Sequence, residues 1–188
     1  DTVIVVGVKL DVGEPFPDTP NQGILITNAE FTPVASPEFE PGPPTIQAIE
    51  IGRVVDRGIR ESKAINFKKL LIKEGEAAWM VIIDICTIND AGNLIDASAL
   101  ASLAALKVAK FPKLEEGNKV DYKTLTDEKL PLEKLPIAVT VHKVGDKYLL
   151  DLSSEEEKVS DARLTVTSVE DGTLCALQKG GSKPLTIE

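Results

Sequence analysis

Pro41–Ser62 read PGPPTIQAIEIGRVVDRGIRES, a stretch that changes from extended chain to a single helix. The three prolines at its start hold the backbone extended, because proline is excluded from a helix interior. Thr45 follows them, and its hydroxyl is suited to cap the first turn of a helix. From Ile46 onward the apolar residues recur with the helical period and share one face: Ala48, Ile51, Val55, Gly58 and Ile59. The pattern predicts an amphipathic helix that ends near Ser62.

The opposite face of this helix carries three of the chain's four arginines. Arg53, Arg57 and Arg60 are spaced i, i+4 and i+7, and the fourth is Arg163. Ion pairs are one explanation for the stripe, and three have helical spacing: Glu50–Arg53, Asp56–Arg60 and Arg57–Glu61. Such pairs stabilise an exposed helix by about 0.2–0.5 kcal/mol each, but lysine would serve equally well. Because arginine suits bidentate recognition of phosphate or carboxylate, the stripe also indicates an anionic ligand.

The overall charge limits what this face can bind. The 188 residues carry a formal net charge of −9, whereas a domain that binds nucleic acid on its own is normally basic. Any contact with nucleic acid is therefore expected to be local, or to be completed by a partner chain.

Composition indicates a globular protein of a reducing compartment. Apolar residues make up 43% of the chain, no apolar run is long enough to span a bilayer, and no signal peptide is evident. Cys86 and Cys175 lie far apart in strand-like runs and do not make a disulfide framework, so the cytoplasm is the expected location. The single histidine, His142, lies in an alternating strand pattern and is interpreted as a surface or edge side chain rather than a metal ligand.

The remaining patterns predict an α+β fold of one domain over residues 1–188, with mixed β-sheets and two main helices. Ala77–Ile88 is the longest apolar run and is placed at a sheet centre. Asp96–Val108 predicts a second helix, rich in alanine and serine, with three larger contact residues: Leu100, Leu103 and Leu106. Residues 110–136 are charged and bounded by prolines, which predicts an excursion on the surface in the form of a solvated loop.

Two clusters of residues could carry chemistry. Asp151 precedes Glu155, Glu156 and Glu157, and such carboxylates could hold Mg²⁺ or act as a general acid. Ser153 and Glu156 also have capping-box spacing, which favours a purely structural role for the acids. The second cluster is the turn from Asp90 to Asp96, where a glycine precedes a helix N-terminus and so could bind phosphate.

Four runs, in this order, resemble the non-catalytic RNase PH-like subunit of the archaeal RNA exosome. They are GEPFPDTPNQG (Gly13–Gly23), ASPEFEPGPP (Ala35–Pro44), RVVDRGIRES (Arg53–Ser62) and GNLIDASALAS (Gly92–Ser102). Their spacing matches as well, so that the resemblance covers nearly the whole chain. It implies an RNase PH-like fold, with family strands upstream of Asp1 and a family helix downstream of Glu188.

The resemblance also implies which catalytic positions are altered. Asp151 matches the first of two aspartates found in catalytic members, and the second position is Glu157. The positions that hold phosphate in catalytic members fall at Asn93, Leu94 and Ile95, and a leucine side chain cannot bind phosphate. Asp96 next to them would repel phosphate or cap the helix. The expectation is therefore a subunit without catalytic residues, metal or cofactor of its own.

The function implied by the resemblance is that of a partner subunit. The chain would pair with the catalytic RNase PH-like subunit, and three heterodimers would form a hexameric ring that also binds RNA-binding cap subunits. Inorganic phosphate and Mg²⁺ would act at the partner's active site, while Arg53, Arg57 and Arg60 would contact single-stranded RNA. Two alternatives stay open: an exoribonuclease that itself uses Asp151 and Glu157, or an acidic module whose arginine stripe binds a protein.

Overall fold

The computed structural model describes residues 1–185, and its first helix is the one that the prolines introduce. α1 spans Ile46–Glu61, and the hydroxyl of Thr45 accepts a hydrogen bond from the Ala48 amide at 3.2 Å. The predicted apolar face is buried, with Ile51 and Val55 only 3% and 2% exposed. The predicted cap, boundaries and buried face of this helix are all confirmed.

The second helix, α2 (Leu94–Val108), begins two residues before the predicted Asp96. Ser98 and Ser102 are almost completely buried, as expected for small residues that let a helix approach its neighbours closely. Leu100 is 61% exposed, so its predicted role as a packing residue is wrong, whereas the other two leucines are buried. A third helix, α3 (Ser154–Glu157), is a single turn.

The first sheet is built around the long apolar run. It contains β1 (Val3–Gly13), β2 (Ile24–Phe31), β3 (Leu71–Lys73) and β4 (Ala77–Asn89). β4 lies between an antiparallel β1 and a parallel β2, and β3 pairs with the start of β4. Val81 and Ile83 of β4 are fully buried, which confirms the predicted central position of this strand.

The second sheet is antiparallel and contains β7 (Ile137–Val144), β8 (Lys147–Leu150), β9 (Ala162–Ser168) and β10 (Leu174–Gly181). Its strand order is β10-β9-β7-β8. His142 lies on the interior strand β7, is 4% exposed, and has its Nδ1 3.0 Å from the hydroxyl of Ser160. The interpretation of His142 as a surface or edge side chain is therefore wrong, because β7 is paired on both sides and packed against α2.

Residues 110–129 form a β-hairpin, although the sequence predicts an irregular loop there. β5 (Lys110–Glu115) pairs antiparallel with β6 (Lys119–Lys129). Most of its side chains are exposed, but Phe111 is buried and its ring centre lies 5.1 Å from that of Trp79. Backbone pairing stabilises the hairpin without burying one face, so the apolar pattern gives no strand signal.

The two helices lie between the two sheets and define the core. α1 contacts β2 and β10, while α2 contacts β1 and β7. Gly52 allows α1 to approach β2, since a Cβ at this position would lie 3.2 Å from the carbonyl oxygen of Thr27. The predicted α+β fold with two main helices is confirmed. The family helix that is expected downstream of Glu188 lies outside the described residues.

Candidate nucleic-acid interface

The arginine stripe of α1 faces solvent along its whole length. Arg53, Arg57 and Arg60 are all exposed, because the buried face of the helix points between the sheets. Arg53 and Arg57 also line a groove of about 440 Å³ between α1 and β2, whose opposite wall includes Asn28 and Ala29. The helix therefore presents positive charge beside a concave surface.

Arg60 differs from the other two because its charge is balanced locally. Its Nη2 and Nε lie 2.9 and 3.0 Å from the two carboxylate oxygens of Asp56, and Nη2 also donates to the carbonyl of Leu25 at 3.2 Å. Hydrogen bonding to Asp56 raises the pKa of Arg60. The guanidinium also lies 5.9 Å from the ring centre of Phe67. The predicted Asp56–Arg60 pair is confirmed, and it holds this arginine on the protein's own surface.

Arg53 and Arg57 have no carboxylate partner within residues 1–185. The expected Glu50–Arg53 pair is absent, because Glu50 instead accepts from Nη2 of Arg163 at 2.6 Å. The expected Arg57–Glu61 pair is also absent, and Nη1 of Arg57 donates to the neutral amide oxygen of Gln178 at 3.3 Å. Ion pairing within α1 therefore explains the presence of only one of the three arginines, Arg60.

The acidic cluster begins with a capped helical turn. The Ser153 hydroxyl accepts from the Glu156 amide, and the Glu156 carboxylate accepts from the Ser153 amide at 2.9 Å, so the predicted capping box is present. These hydrogen bonds lower the pKa of Glu156. Glu155 is exposed and pairs with Lys158. Both of these acids are therefore explained by local structure.

Asn93 joins the two sequence clusters into one site. Its backbone amide donates to Oε1 of Glu157 at 2.9 Å, and its side-chain amide donates to Oδ1 of Asp151 at 3.0 Å. Asn93 has a left-handed conformation with φ of 54°, which asparagine tolerates better than most residues. Burial raises the pKa of Glu157, although the Asn93 amide acts in the opposite direction. The amide at the start of α2 is thus occupied by a carboxylate of the same chain.

The predicted phosphate position offers neither a hydroxyl nor a cationic side chain to phosphate. Leu94 is buried, with 7% of its surface exposed, and is part of the hydrophobic core. Asp96 is not the N-cap, since that position is Asn93; it accepts from the backbone amide and hydroxyl of Thr140 at 2.9 and 2.6 Å. Asp96 therefore ties α2 to β7, and its carboxylate opposes anion binding by repulsion.

Two further properties bear on function. Within residues 1–185 there is no group of three or more His, Cys, Asp or Glu side chains that could hold a metal ion. None of the described helices has the length and apolar character needed to cross a membrane.

The site residues that sequence reasoning missed lie beside Arg57. Gln178 on β10, Glu50 on α1 and Arg163 on β9 are connected by hydrogen bonds. The only signal in the sequence was that Arg163 is the single arginine outside the stripe. Neither spacing nor composition indicates that Arg163 pairs with Glu50, which is 113 residues away.

Two helices between two sheets, with Asp151 and Glu157 held by Asn93 at the start of α2, define an RNase PH-like subunit. The chain belongs to the 3′ exoribonuclease family: the model of the family's domain 1 matches residues 1–112, and that of domain 2 matches residues 134–188. The RNase PH-like fold expected from the sequence is confirmed. The expectation of a single domain over 1–188 stays a prediction.

Similar proteins place the chain within one branch of this family. It is 52% identical to the exosome complex component Rrp42 of Archaeoglobus fulgidus over 96% of this chain and 68% of that protein. It is 48% identical to the Rrp42 component of Methanosarcina acetivorans over 99% of this chain and 68% of that protein. A solved structure described as the Archaeoglobus fulgidus exosome with RNA bound to the active site contains a chain with 50% identity and a TM-score of 0.89, covering 99% of this chain and 71% of that one.

These relatives decide between a non-catalytic subunit and an exoribonuclease. The chain is of the Rrp42 type, the non-catalytic RNase PH-like subunit of the archaeal exosome, as the sequence predicted. The alternative of an exoribonuclease that uses Asp151 and Glu157 is not supported, and Asn93 accounts for both carboxylates as parts of a structural contact.

Proposed function

We propose that this chain is the non-catalytic half of a heterodimer with the catalytic RNase PH-like subunit, and that three heterodimers form a ring around a central channel. RNA would enter the channel and be shortened from its 3′ end at the partner's active site, where inorganic phosphate is the co-substrate and Mg²⁺ assists. RNA-binding cap subunits would sit on this ring, in the cytoplasm. The similarity of the chain to exosome components supports this assembly.

Within this assembly, the role of the chain is to complete the partner's site and to grip RNA through Arg53 and Arg57. The observation that carries the role is that both guanidinium groups are exposed and unpaired with any carboxylate in residues 1–185, in a chain of net charge −9. An arginine without a carboxylate partner can contact phosphate without losing an ion pair, whereas a paired arginine must first give up its partner. Arg60, predicted for the same role, would contribute less.

The test is RNA binding by the assembled ring of full-length subunits. Fluorescence anisotropy of a labelled oligoadenylate in phosphate-free buffer, measured over a range of salt concentrations, gives both affinity and salt slope. Arg53→Ala and Arg57→Ala should each lower the slope by about 0.7, without changing the preference between oligoadenylate and oligouridylate.

A matched control separates this effect from the loss of one positive charge anywhere. Lys147→Ala removes an exposed charge on β8, at the opposite edge of the second sheet from β10, which contacts α1. The control should leave the slope unchanged. An unchanged affinity and slope in a variant that combines Arg53→Ala with Arg57→Ala would show that these two arginines do not bind RNA.

A further inference from the structure

Gln178 lies between a cation and an anion on the surface described above. Its Oε1 accepts from Nη1 of Arg57 at 3.3 Å, and its Nε2 donates to Oε1 of Glu50 at 3.4 Å. The other oxygen of Glu50 accepts from Nη2 of Arg163 at 2.6 Å. A chain of hydrogen bonds therefore leads from the exposed Arg57 to the half-buried Arg163, across α1, β10 and β9.

The Arg163 end of this series of hydrogen bonds is held by the ion pair with Glu50. The side chains of Glu50 and Arg163 are 25% and 20% exposed, so solvent screens their ion pair only partly. Gly180 makes room for the guanidinium of Arg163, since a Cβ there would lie 2.6 Å from its Cζ. Glu50 is thereby fixed on the β10 side of α1 and kept away from Arg53, its potential partner within the helix.

Glutamine is the side chain that fits between Arg57 and Glu50. Its amide accepts from one group and donates to the other at the same time. A glutamate here would accept from Arg57 but repel Glu50, and an apolar side chain would make neither hydrogen bond. Because the amide is neutral, it orients Arg57 without cancelling the charge that phosphate would need.

We infer that Gln178 is a positioning residue for RNA binding, which holds the guanidinium of Arg57 beside β10 before RNA arrives. The inference rests on the proposed RNA contact of Arg57. An arginine side chain that is ordered beforehand loses less rotational freedom on binding, and this ordering is worth about two- to tenfold in affinity. Gln178 itself does not contact RNA in this arrangement.

The experiment compares Gln178→Met, Arg57→Ala and the double variant in the assembled ring of full-length subunits. Methionine keeps the length and volume of the side chain but cannot make either hydrogen bond. Gln22→Met, in the loop before β2, serves as the control for the same substitution, because no hydrogen bond of the Gln22 side chain occurs in the described part of the chain. Binding of labelled oligoadenylate is measured against salt in phosphate-free buffer, together with the melting temperature of each ring.

Gln178→Met should weaken RNA binding by about two- to tenfold and leave the salt slope unchanged, because the charge of Arg57 remains. In the Arg57→Ala background it should have no further effect. If Arg57→Ala weakens binding and Gln178→Met does not, the positioning role is wrong and the proposed RNA contact stands. If Arg57→Ala has no effect, the proposed contact itself is wrong. Equal weakening with and without Arg57 would assign Gln178 to the stability of the fold and overturn the inference.

Discussion

The backbone amide of Asn93 lies 2.9 Å from Oε1 of Glu157, so a side chain of the subunit itself occupies the amide of the N-cap residue of α2. A free helix N-terminus would offer this amide to an external anion. Leu94 next to it is buried, and Asp96 adds a further negative charge on the same turn. At the position used for phosphate in catalytic relatives, as the resemblance implies, phosphate would therefore have to displace the Glu157 carboxylate and approach that of Asp96 against repulsion.

Replacing Glu157 by glutamine should stabilise the chain at neutral pH. Burial raises the pKa of Glu157, which means that the folded state disfavours its ionised form. The resulting cost develops as pH rises from the ordinary carboxyl value to the raised pKa, and it is complete above that pKa. Glu157→Gln removes the cost and keeps an oxygen that accepts from Asn93. We expect the melting temperature at neutral pH to rise by no more than about 2–4 °C, the equivalent of about 1 kcal/mol in a chain of this size.

Thermal unfolding followed by circular dichroism checks this expectation. The gain should disappear when the pH falls below the ordinary carboxyl pKa, where both states are protonated. Glu155→Gln, at an exposed position of the same short helix, should show no comparable gain. A lower melting temperature of Glu157→Gln at neutral pH would show that the charged hydrogen bond to Asn93 outweighs the cost of burial.

The chain alone should not shorten RNA, and it should be required in a mixture with its catalytic partner. Asp151 lies 3.0 Å from the Asn93 side chain and is exposed, so Asp151→Asn should leave phosphate-dependent RNA decay by the mixture unchanged. The measurement is the release of nucleoside diphosphates from oligoadenylate with and without inorganic phosphate. Phosphate-dependent decay by the full-length chain alone, lost in Asp151→Asn, would show that the site retains catalytic activity.

Local features of the fold could be predicted from the sequence because they depend on neighbouring residues. The cap at Thr45, the buried face of α1 and the capping box at Ser153 each involve residues within a few positions of one another. The position of β4 at a sheet centre followed from its length and its apolar character. The RNA-binding role of the arginines is not tested by these features and stays a prediction.

The features that sequence missed depend on partners far apart in the chain. Helical spacing shows that Glu50 can reach Arg53, but it does not show that Arg163, 113 residues away, competes for the same carboxylate. Asn93 and Asp151 are 58 residues apart, and their contact depends on how α2 packs against the second sheet. His142 was misplaced for a similar reason, since an alternating pattern gives the period of a strand but not the elements that cover its faces.

His142 should make the stability of the chain depend on pH below neutrality. Burial lowers the pKa of His142, the charge of Arg163 lowers it further, and Asp96 partly opposes both effects. The stabilisation of the neutral form is therefore complete above the ordinary histidine pKa and is lost as pH falls through the lowered value. His142→Gln should reduce the slope at which the free energy of unfolding falls with decreasing pH. The reduction is up to about 1.4 kcal/mol per pH unit, which corresponds to one bound proton.

Urea unfolding of wild type and His142→Gln between about pH 7.5 and pH 5 measures the difference. His142 is the only histidine of the chain, so no second histidine contributes to the comparison. Parallel pH profiles for the two proteins would show that His142 does not titrate differently in the folded and unfolded states.

Arg60 should contribute to stability more than to RNA binding, in contrast to Arg53. Both carboxylate oxygens of Asp56 and the carbonyl of Leu25 already accept hydrogen bonds from its guanidinium. Arg60→Ala should therefore lower the free energy of unfolding by about 0.5–1 kcal/mol, as measured by urea titration, because an exposed pair and one further hydrogen bond are lost. Its effect on the salt slope of RNA binding should be well below the value of about 0.7 expected for Arg53→Ala.

Asp56→Asn provides the matched test of this distinction, because it leaves Arg60 in place and removes the charge that balances it. If local pairing is what keeps Arg60 from RNA, this variant should strengthen binding of oligoadenylate by the assembled ring and steepen its salt dependence by up to about 0.7. The second substitution Arg60→Ala should then cancel most of the gain. With Asp56 intact, Arg60→Ala could instead reduce the salt slope as much as Arg53→Ala does. That result would show that Asp56 releases Arg60 when RNA binds.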